Sequence, residues 1–527
     1  MTIENAVPTK TLFAVTAVLF CLMAFKNLSV LSMAIIPNFF QMLSPLKALV
    51  VFVFLAAAAT LCVFVLRTVK RDHARHKEKE ISIWFYGAAL FVLTYLLRAV
   101  WIMIIKTPVY SDYQGFYWVT NQIALNPNSP YLKDPYFHTW AYQVGFPAFM
   151  SPMARLFPRN AQALVFVNCA FEAGTVLCIF YLLNKSFSRF SSFALCCLYL
   201  LMPLPYMVVS VYTNQLSSVF FMLLGVCVLF SKEKFTCLRC CIAALSFAIG
   251  NMLRAEGIIL LCATGVLIPV GLFFRGKEEK LLQRTRRISP VIAYCILYIC
   301  SGMLISKTFE WTGLNPSGLK NNYPLYKFAI GLNEDSHGQY TKEDDHMLMG
   351  LNATKPVEVR DEITKKIIRE RLSIGPQRLF SLISEKWDVM WTERYEQYPA
   401  LIPFPDETVV SLGVMELQIS TVKKVVSFTQ SIWMLLLFML GGTISFLSFF
   451  RKEVSAFVVF LSSFSVICFG VFSLVEVQKR YVYLCLPFLF LLVLTAVAEI
   501  WKVPNDLIGI FSYSSSTGSQ KENEKPA

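Results

Sequence analysis

Uncharged, mainly apolar runs of membrane-crossing length recur along the chain, and short basic stretches separate many of them. A helix needs about 20 such residues to cross the hydrocarbon core of a bilayer. By that rule the pattern predicts about twelve spans, at 11–34, 47–67, 82–105, 161–183, 191–209, 213–231, 238–256, 257–274, 288–305, 429–450, 454–474 and 481–501. Pro203 and Pro205, in LLMPLPYM, predict a break or kink near the end of the fifth span.

The polar stretches give the runs a direction. RTVKRDHARHKEKE (67–80) and RGKEEKLLQRTRR (275–287) are densely basic, and SKEKFTCLR (231–239) and FRKE (450–453) repeat the signal. Short basic loops stay in the cytoplasm. The span count puts all four on one side, with both termini cytoplasmic and two long loops, 106–160 and 306–428, outside. Five blocks follow. Residues 1–81 hold two N-terminal spans and a basic loop, and 82–305 form a transmembrane core containing the outer loop 106–160. Residues 306–428 form an extracytoplasmic loop domain, 429–503 the last spans, and 504–527 a polar, disordered cytoplasmic tail.

Within the second loop, Val357, Ile363, Ile367, Ile368 and Leu372 recur at roughly helical intervals until Gly375-Pro376 stops them. QRLFSLISEKWDVMW (377–391) supplies a second apolar face. Both segments suit either helices lying flat on the membrane or a small helical cap packed on the loop.

Composition agrees with this pattern. Hydrophobic residues make up 56% of the 527 and charged residues 16%, so a soluble core does not compete. The net charge of +14 lies largely in the short loops that write topology, and it does not indicate nucleic acid. The 15 cysteines fall in apolar runs or short loops, none in the two long loops, which argues against a disulfide scaffold. No zinc pattern, nucleophile elbow, HExxH or P-loop is present.

Ionisable groups beside membrane spans are candidates for function. Four segments qualify on the outer side: Asp112 and Tyr113 in VYSDYQGFYW (109–118), His138, Tyr142 and Gln143 in HTWAYQVGFP (138–147), Arg254 and Glu256 in NMLRAEG (251–257), and Glu476, Lys479, Arg480 and Tyr481 in VEVQKRYVY (475–483). Each has a plainer reading. Asp112 suits a solvated loop or a helix cap, Arg254 with Glu256 an interfacial anchor, and Lys479 with Arg480 snorkelling residues. Tyr481 and Tyr483 suit the interfacial aromatic belt. Glu172, inside the fourth span, suits either support of a site or a helix–helix polar contact.

In order, these elements resemble the GT-C superfamily of membrane glycosyltransferases, most of all its dolichyl-phosphate-mannose protein mannosyltransferase-like branch. SDYQGFYW (111–118) is similar to the acidic, aromatic start of that family's first outer loop. AYQVGFPAFMSPMARLFP (141–158) resembles the stretch that follows, without the usual His-Pro-Pro. LLMPLPYMVVSVYTNQLSSVFFMLLGVCVLF (200–230), NMLRAEGIIL (251–260) and VQKRYVYLCLPFLFLL (477–492) resemble later core segments. FAIGLNEDSHGQYTKEDD (328–345) is similar to the outer loop of Gram-positive bacterial members. The resemblance covers about residues 82–500, and the two N-terminal spans look like an addition to the core.

The resemblance implies an all-α fold of about twelve transmembrane helices with a mixed, mainly helical extracytoplasmic loop domain. It implies transfer of a sugar from a polyprenyl-phosphate donor to a glycan, lipid or protein acceptor outside the cytoplasm of a cell membrane. No cofactor, metal or nucleic acid is called for. Asp112 is then the general base of one inverting displacement. Arg254 and Arg480, with Lys479 as a third cation, hold the departing phosphate. Tyr113, Tyr142, Gln143, Glu256, Glu476, Tyr481 and Tyr340 complete a substrate site. Tyr340, Asp344 and Asp345 suit sugar contacts or a solvated turn. The alternatives are a lipid-linked sugar transporter or flippase and a surface-polysaccharide polymerase or ligase.

Overall fold

Residues 2–4, 7–37, 82–126, 135–232, 236–273, 281–412 and 415–501 are described by a computed structural model of the chain. The span expected at 47–67, the basic loop 67–80 and the tail 504–527 lie outside the described residues.

In chain order the elements are β1 (Thr2–Glu4), α1 (Val7–Val30), α2 (Ile83–Ile105), α3 (Ser111–Leu125), α4 (Pro135–Thr139), α5 (Gly145–Leu156), α6 (Ala161–Leu183), α7 (Arg189–Leu200), α8 (Pro203–Val209) and α9 (Gln215–Leu229). There follow α10 (Cys237–Leu253), α11 (Gly257–Phe273), α12 (Leu281–Trp311), α13 (Tyr326–Gly331), α14 (Lys342–Thr354), α15 (Val357–Leu372) and α16 (Pro376–Trp391). The chain continues through the hairpin β2 (Val409–Leu412) and β3 (Met415–Gln418) to α17 (Ile419–Phe449), β4 (Glu453–Ser455), α18 (Ala456–Leu474) and α19 (Val482–Trp501).

Among the described residues, seven helical segments are long and apolar enough to cross a membrane: Val7–Ile35, Ile83–Ile105, Ala161–Leu183, Ile288–Trp311, Ile419–Phe449, Ala456–Leu474 and Lys479–Ala498. This is the architecture of an all-α polytopic membrane protein. Polar caps start several of these helices. Ser82 accepts from the Trp84 amide, Asn160 from Ala163 and Ser455 from Val458, each satisfying a donor that the first turn leaves free. The break expected at Pro203 and Pro205 is present: α7 and α8 meet at 66°.

α1 is more closely integrated than the reading of an addition suggests. It packs along α17, and its Phe20 ring lies 5.4 Å from Phe438. Its two ends also meet different layers. At the start, β1 pairs antiparallel with β4. Further along, Lys26 Nζ donates to Asp388 Oδ1 at 2.8 Å and Asn27 Nδ2 to the Trp391 carbonyl at 3.1 Å, both in or at the end of α16. α16 therefore sits at the end of α1 opposite to β1 and β4.

The described residues of segments 106–160 and 306–428 build one cap. Trp140 joins Tyr323, Tyr326, Ala329, Ile330 and Leu348 in a buried cluster. Asn315 Nδ2 reaches the Ala141 carbonyl at 3.1 Å, and Asn352 Nδ2 reaches Thr139 Oγ1 at 3.0 Å. α15 and α16 are present, divided at Gly375 (φ +93°), a left-handed position suited to glycine. α16 packs inward instead of lying free, with Trp391 stacked on Phe469 of α18 at 4.7 Å. α15 packs on α13 and α14 of the same loop, and α16 packs on the bundle.

Lys386 fastens α16 to the bundle. Its fully buried Nζ donates to the Gly331 carbonyl at 2.7 Å and the Ser473 carbonyl at 2.8 Å. Burial pushes this ammonium down to about 7 from its ordinary 10.5, with Glu476 acting weakly the other way. Below pH 7 the folded protein carries the whole cost of the buried charge. Between pH 7 and 10.5 the native state sheds a proton that the unfolded chain keeps, so stability rises. We expect the melting temperature of wild type to climb over that window relative to Lys386→Met. Parallel pH profiles for the two proteins would remove the assignment.

Candidate functional site

A cavity of about 960 Å³ lies between the cap and the helix ends beneath it. It is lined from α3, from the turn before α5, from the α10–α11 corner, from α13 and α14, and from the 475–481 segment. Asp112, Tyr113, Tyr142, Gln143, Arg254, Glu256, Tyr340, Glu476, Lys479, Arg480 and Tyr481 all line it. The segments that carried candidate chemistry in the sequence thus meet in one place. His138 is exposed and does not line the cavity.

Three ion pairs organise the walls. Arg480 Nη2 donates to Asp112 Oδ2 at 3.0 Å. Arg254 Nε donates to Glu256 Oε1 at 2.5 Å, and its Nη1 to Asn214 Oδ1 at 3.2 Å. Lys327 Nζ pairs with Glu476, which also accepts from Gln478 Nε2 at 2.5 Å. Burial opposes the Lys327 charge, but Glu476, Tyr481 and Tyr142 together outweigh it and raise this ammonium above its ordinary value. The Tyr481 ring lies between the first two cations, 5.0 Å from the Arg254 guanidinium and 5.9 Å from that of Arg480.

The backbone around Asp112 is held in an uncommon shape. Ser111, just before it, has φ +49°, which non-glycine residues rarely adopt. Tyr110 anchors this corner through its hydroxyl to the Pro399 carbonyl at 2.9 Å. On the other wall, Gln215 Nε2 holds the Arg480 carbonyl at 2.9 Å.

The structure corrects one role. Lys479, expected beside the phosphate, turns its Nζ to Glu393 Oε1 at 2.6 Å and to the carbonyls of Thr392 at 2.6 Å and Met390 at 3.1 Å. Two hydrogen bonds and an ion pair thus commit the ammonium to the link with the cap. Lys479 still borders the cavity, but its ammonium faces the cap; Lys327, which the sequence reading did not single out, is a further cation of the lining. A lone lysine in a long polar loop carries no periodic signal. Asn214, just before α9, was missed because a single polar residue at the edge of an expected span carries no signal of its own.

Asp344 and Asp345 divide. Asp345 lines the cavity and accepts from the Tyr326 hydroxyl at 2.5 Å and the Tyr340 hydroxyl at 3.2 Å. Asp344 is buried in the cap, holding Asn333 and Arg371. Glu172 lies away from the cavity, fully buried against Arg98 and the Tyr483 hydroxyl. Among the described residues no three His, Cys, Asp or Glu side chains converge as metal ligands.

No protein-family model matches the chain, and no curated protein matches its sequence. The site is therefore argued from its own geometry.

Gly331 sets the position of Lys327 and Glu476. The Glu476 amide donates to the Lys327 carbonyl at 2.9 Å, and the two backbones approach so closely that a Cβ on Gly331 would lie 2.3 Å from the Val475 carbonyl carbon. Gly331→Ala must push the segments apart, at about 1–3 kcal/mol for overpacking. We expect a lowered melting temperature, with Gly350→Ala, which meets nothing within 4 Å, as the harmless control. Equal melting of the two variants would contradict the close approach.

Proposed function

We propose that this protein is a membrane glycosyltransferase of GT-C type, taking a sugar from a polyprenyl-phosphate carrier and passing it to an acceptor outside the cytoplasm of a cell membrane. The observation that carries the reading is the pairing of Asp112 with Arg480 in a cavity that Arg254 and Lys327 also line. That set matches the needs of one inverting displacement. A carboxylate takes the proton of the acceptor hydroxyl as its oxygen attacks the anomeric carbon. The bond from that carbon to the phosphate oxygen breaks, and the carrier leaves as a phosphate monoester. Fixed cations stabilise the charge it gains, and arginine forks suit phosphate oxygens.

Support for the wider architecture comes from the bent pair α7–α8 and from the shorter apolar helices α9, α10 and Gly257–Leu267. Counted as crossings with the seven longer segments and the expected span at 47–67, they complete the twelve-span GT-C arrangement. The cap then lies outside and both termini inside. Tyr113, Tyr142, Gln143, Tyr340 and Asp345 contact the sugars, while Ile258, Ile259, Val471 and Phe472 border the route of the isoprenoid chain.

The test uses the purified protein in liposomes with a panel of radiolabelled polyprenyl-phosphate sugars and candidate acceptors. Release of the carrier phosphate, matched by label on the acceptor, is the expected result. Movement of intact lipid-linked sugar across the bilayer without cleavage would replace the reading with that of a flippase.

A further inference from the structure

The three ion pairs of the cavity are not equivalent. Glu476 is 1% exposed and holds Lys327 and Gln478 together, so its pair is part of the wall. Glu256 is 15% exposed and meets Arg254 at 2.5 Å, with Asn214 as that arginine's second partner. Asp112 is 39% exposed, touches Arg480 through one oxygen at 3.0 Å, and has no partner on its other oxygen among the described residues. The buried Nε of Arg480 also lacks a partner among the described residues. This is the loosest pair. Its two backbones are fixed, at the Ser111 corner and by Gln215, so it opens by side-chain rotation alone.

Building on the proposed function, we propose that the Asp112–Arg480 pair is a lock that the donor's phosphate opens. In the structure Arg480 donates to Oδ2 of the carboxylate that has to act as base. The donor's phosphodiester, with one negative charge and two non-bridging acceptor oxygens, competes for the same guanidinium. When the phosphate takes Arg480, Asp112 Oδ2 loses its donor and turns to the acceptor hydroxyl, whose proton it removes during attack. Donor binding therefore precedes activation of the acceptor. A partly exposed single-contact pair is weak, so the exchange is easily driven. The neighbouring pairs stay closed and keep the cavity in shape.

The lock makes a prediction that a fixed catalytic acid does not. Asp112→Asn keeps the side chain's shape, removes the competing charge, and should bind the donor's head group more tightly. The probe is methyl citronellyl phosphate, a short isoprenoid phosphodiester that carries the donor's single charge but no sugar, titrated to millimolar concentration by thermal shift on the full-length protein in detergent. We expect about two- to fivefold tighter binding than wild type, and loss of that gain when Asp112→Asn is made in an Arg480→Gln background. An unchanged or weaker affinity in Asp112→Asn overturns the lock. So does an equal gain with and without Arg480, which would show simple charge repulsion. If Arg480→Gln abolishes binding, the sign of the Asp112→Asn effect beside intact Arg480 decides. A wild-type protein that ignores the probe would count against the donor class itself. A protein that binds it with no influence of Asp112 would lose only the lock.

Discussion

Asp112→Asn is expected to cut sugar transfer by about 10²–10⁴-fold, the usual contribution of a positioned general base, while the protein still folds and still holds the donor lipid. Four carboxylates line the cavity, and their surroundings single out this one. Asp345 is spent on two tyrosine hydroxyls. Glu476 is buried under Lys327 and Gln478, and Glu256 is bound to Arg254. Asp112 is the most open to an incoming hydroxyl and has an oxygen to spare. Asn at this position still accepts a hydrogen bond from Arg480 but takes no proton at neutral pH. The loss should therefore fall on kcat, with little rise in the donor's KM. Arg480→Gln should raise KM and lower kcat together, because the same guanidinium meets the phosphate before and during bond breaking. The measurement is steady-state transfer in liposomes with folding checked by melting. Turnover near wild type in Asp112→Asn would end the assignment of the base and leave Arg480 as a lipid anchor.

The site was readable because topology and chemistry cooperate. Hydropathy fixes where helices end, and charge at those ends is costly enough to be sparse, so the few acids and bases there had to share one face. What hydropathy does not encode is the direction of neighbouring side chains. Lys479 and Arg480 are adjacent in a single 3₁₀ turn, where successive residues project about 120° apart. One reaches Glu393 in the cap and the other reaches Asp112 across the cavity. Lys327 and Asn214 depend on tertiary docking of the 331 and 475 backbones and of the α9 start, which no local pattern announces. The cap helices were legible through their spacing and the Gly375-Pro376 stop. Their inward packing was not, since an amphipathic helix has the same pattern on a membrane surface and on a neighbouring helix.

Arg98→Met should destabilise the fold by about 3–5 kcal/mol, the cost of leaving one member of a buried ion pair without the other. Arg98 and Glu172 are fully buried on facing helices, with Nη2 and Oε1 3.3 Å apart. The guanidinium also lies 3.6 Å from the Tyr206 ring centroid, and Tyr483 of α19 donates to Glu172. An ion pair at this depth is what a transporter would use as a relay, so it bears directly on the rival function. A relay needs access to water or substrate, yet both side chains are sealed and neither lines the cavity. The pair instead ties α2, α6 and α19, and α19 begins just after Arg480. The double variant Arg98→Met/Glu172→Met removes both charges at once. It should regain most of the lost stability, as buried pairs replaced by apolar residues often do, and with it the transfer activity. Melting curves in detergent and the liposome assay read the two quantities separately. A double variant that melts like wild type but no longer transfers sugar would make the pair part of the working cycle, and the case against transport would have to be rebuilt on other residues.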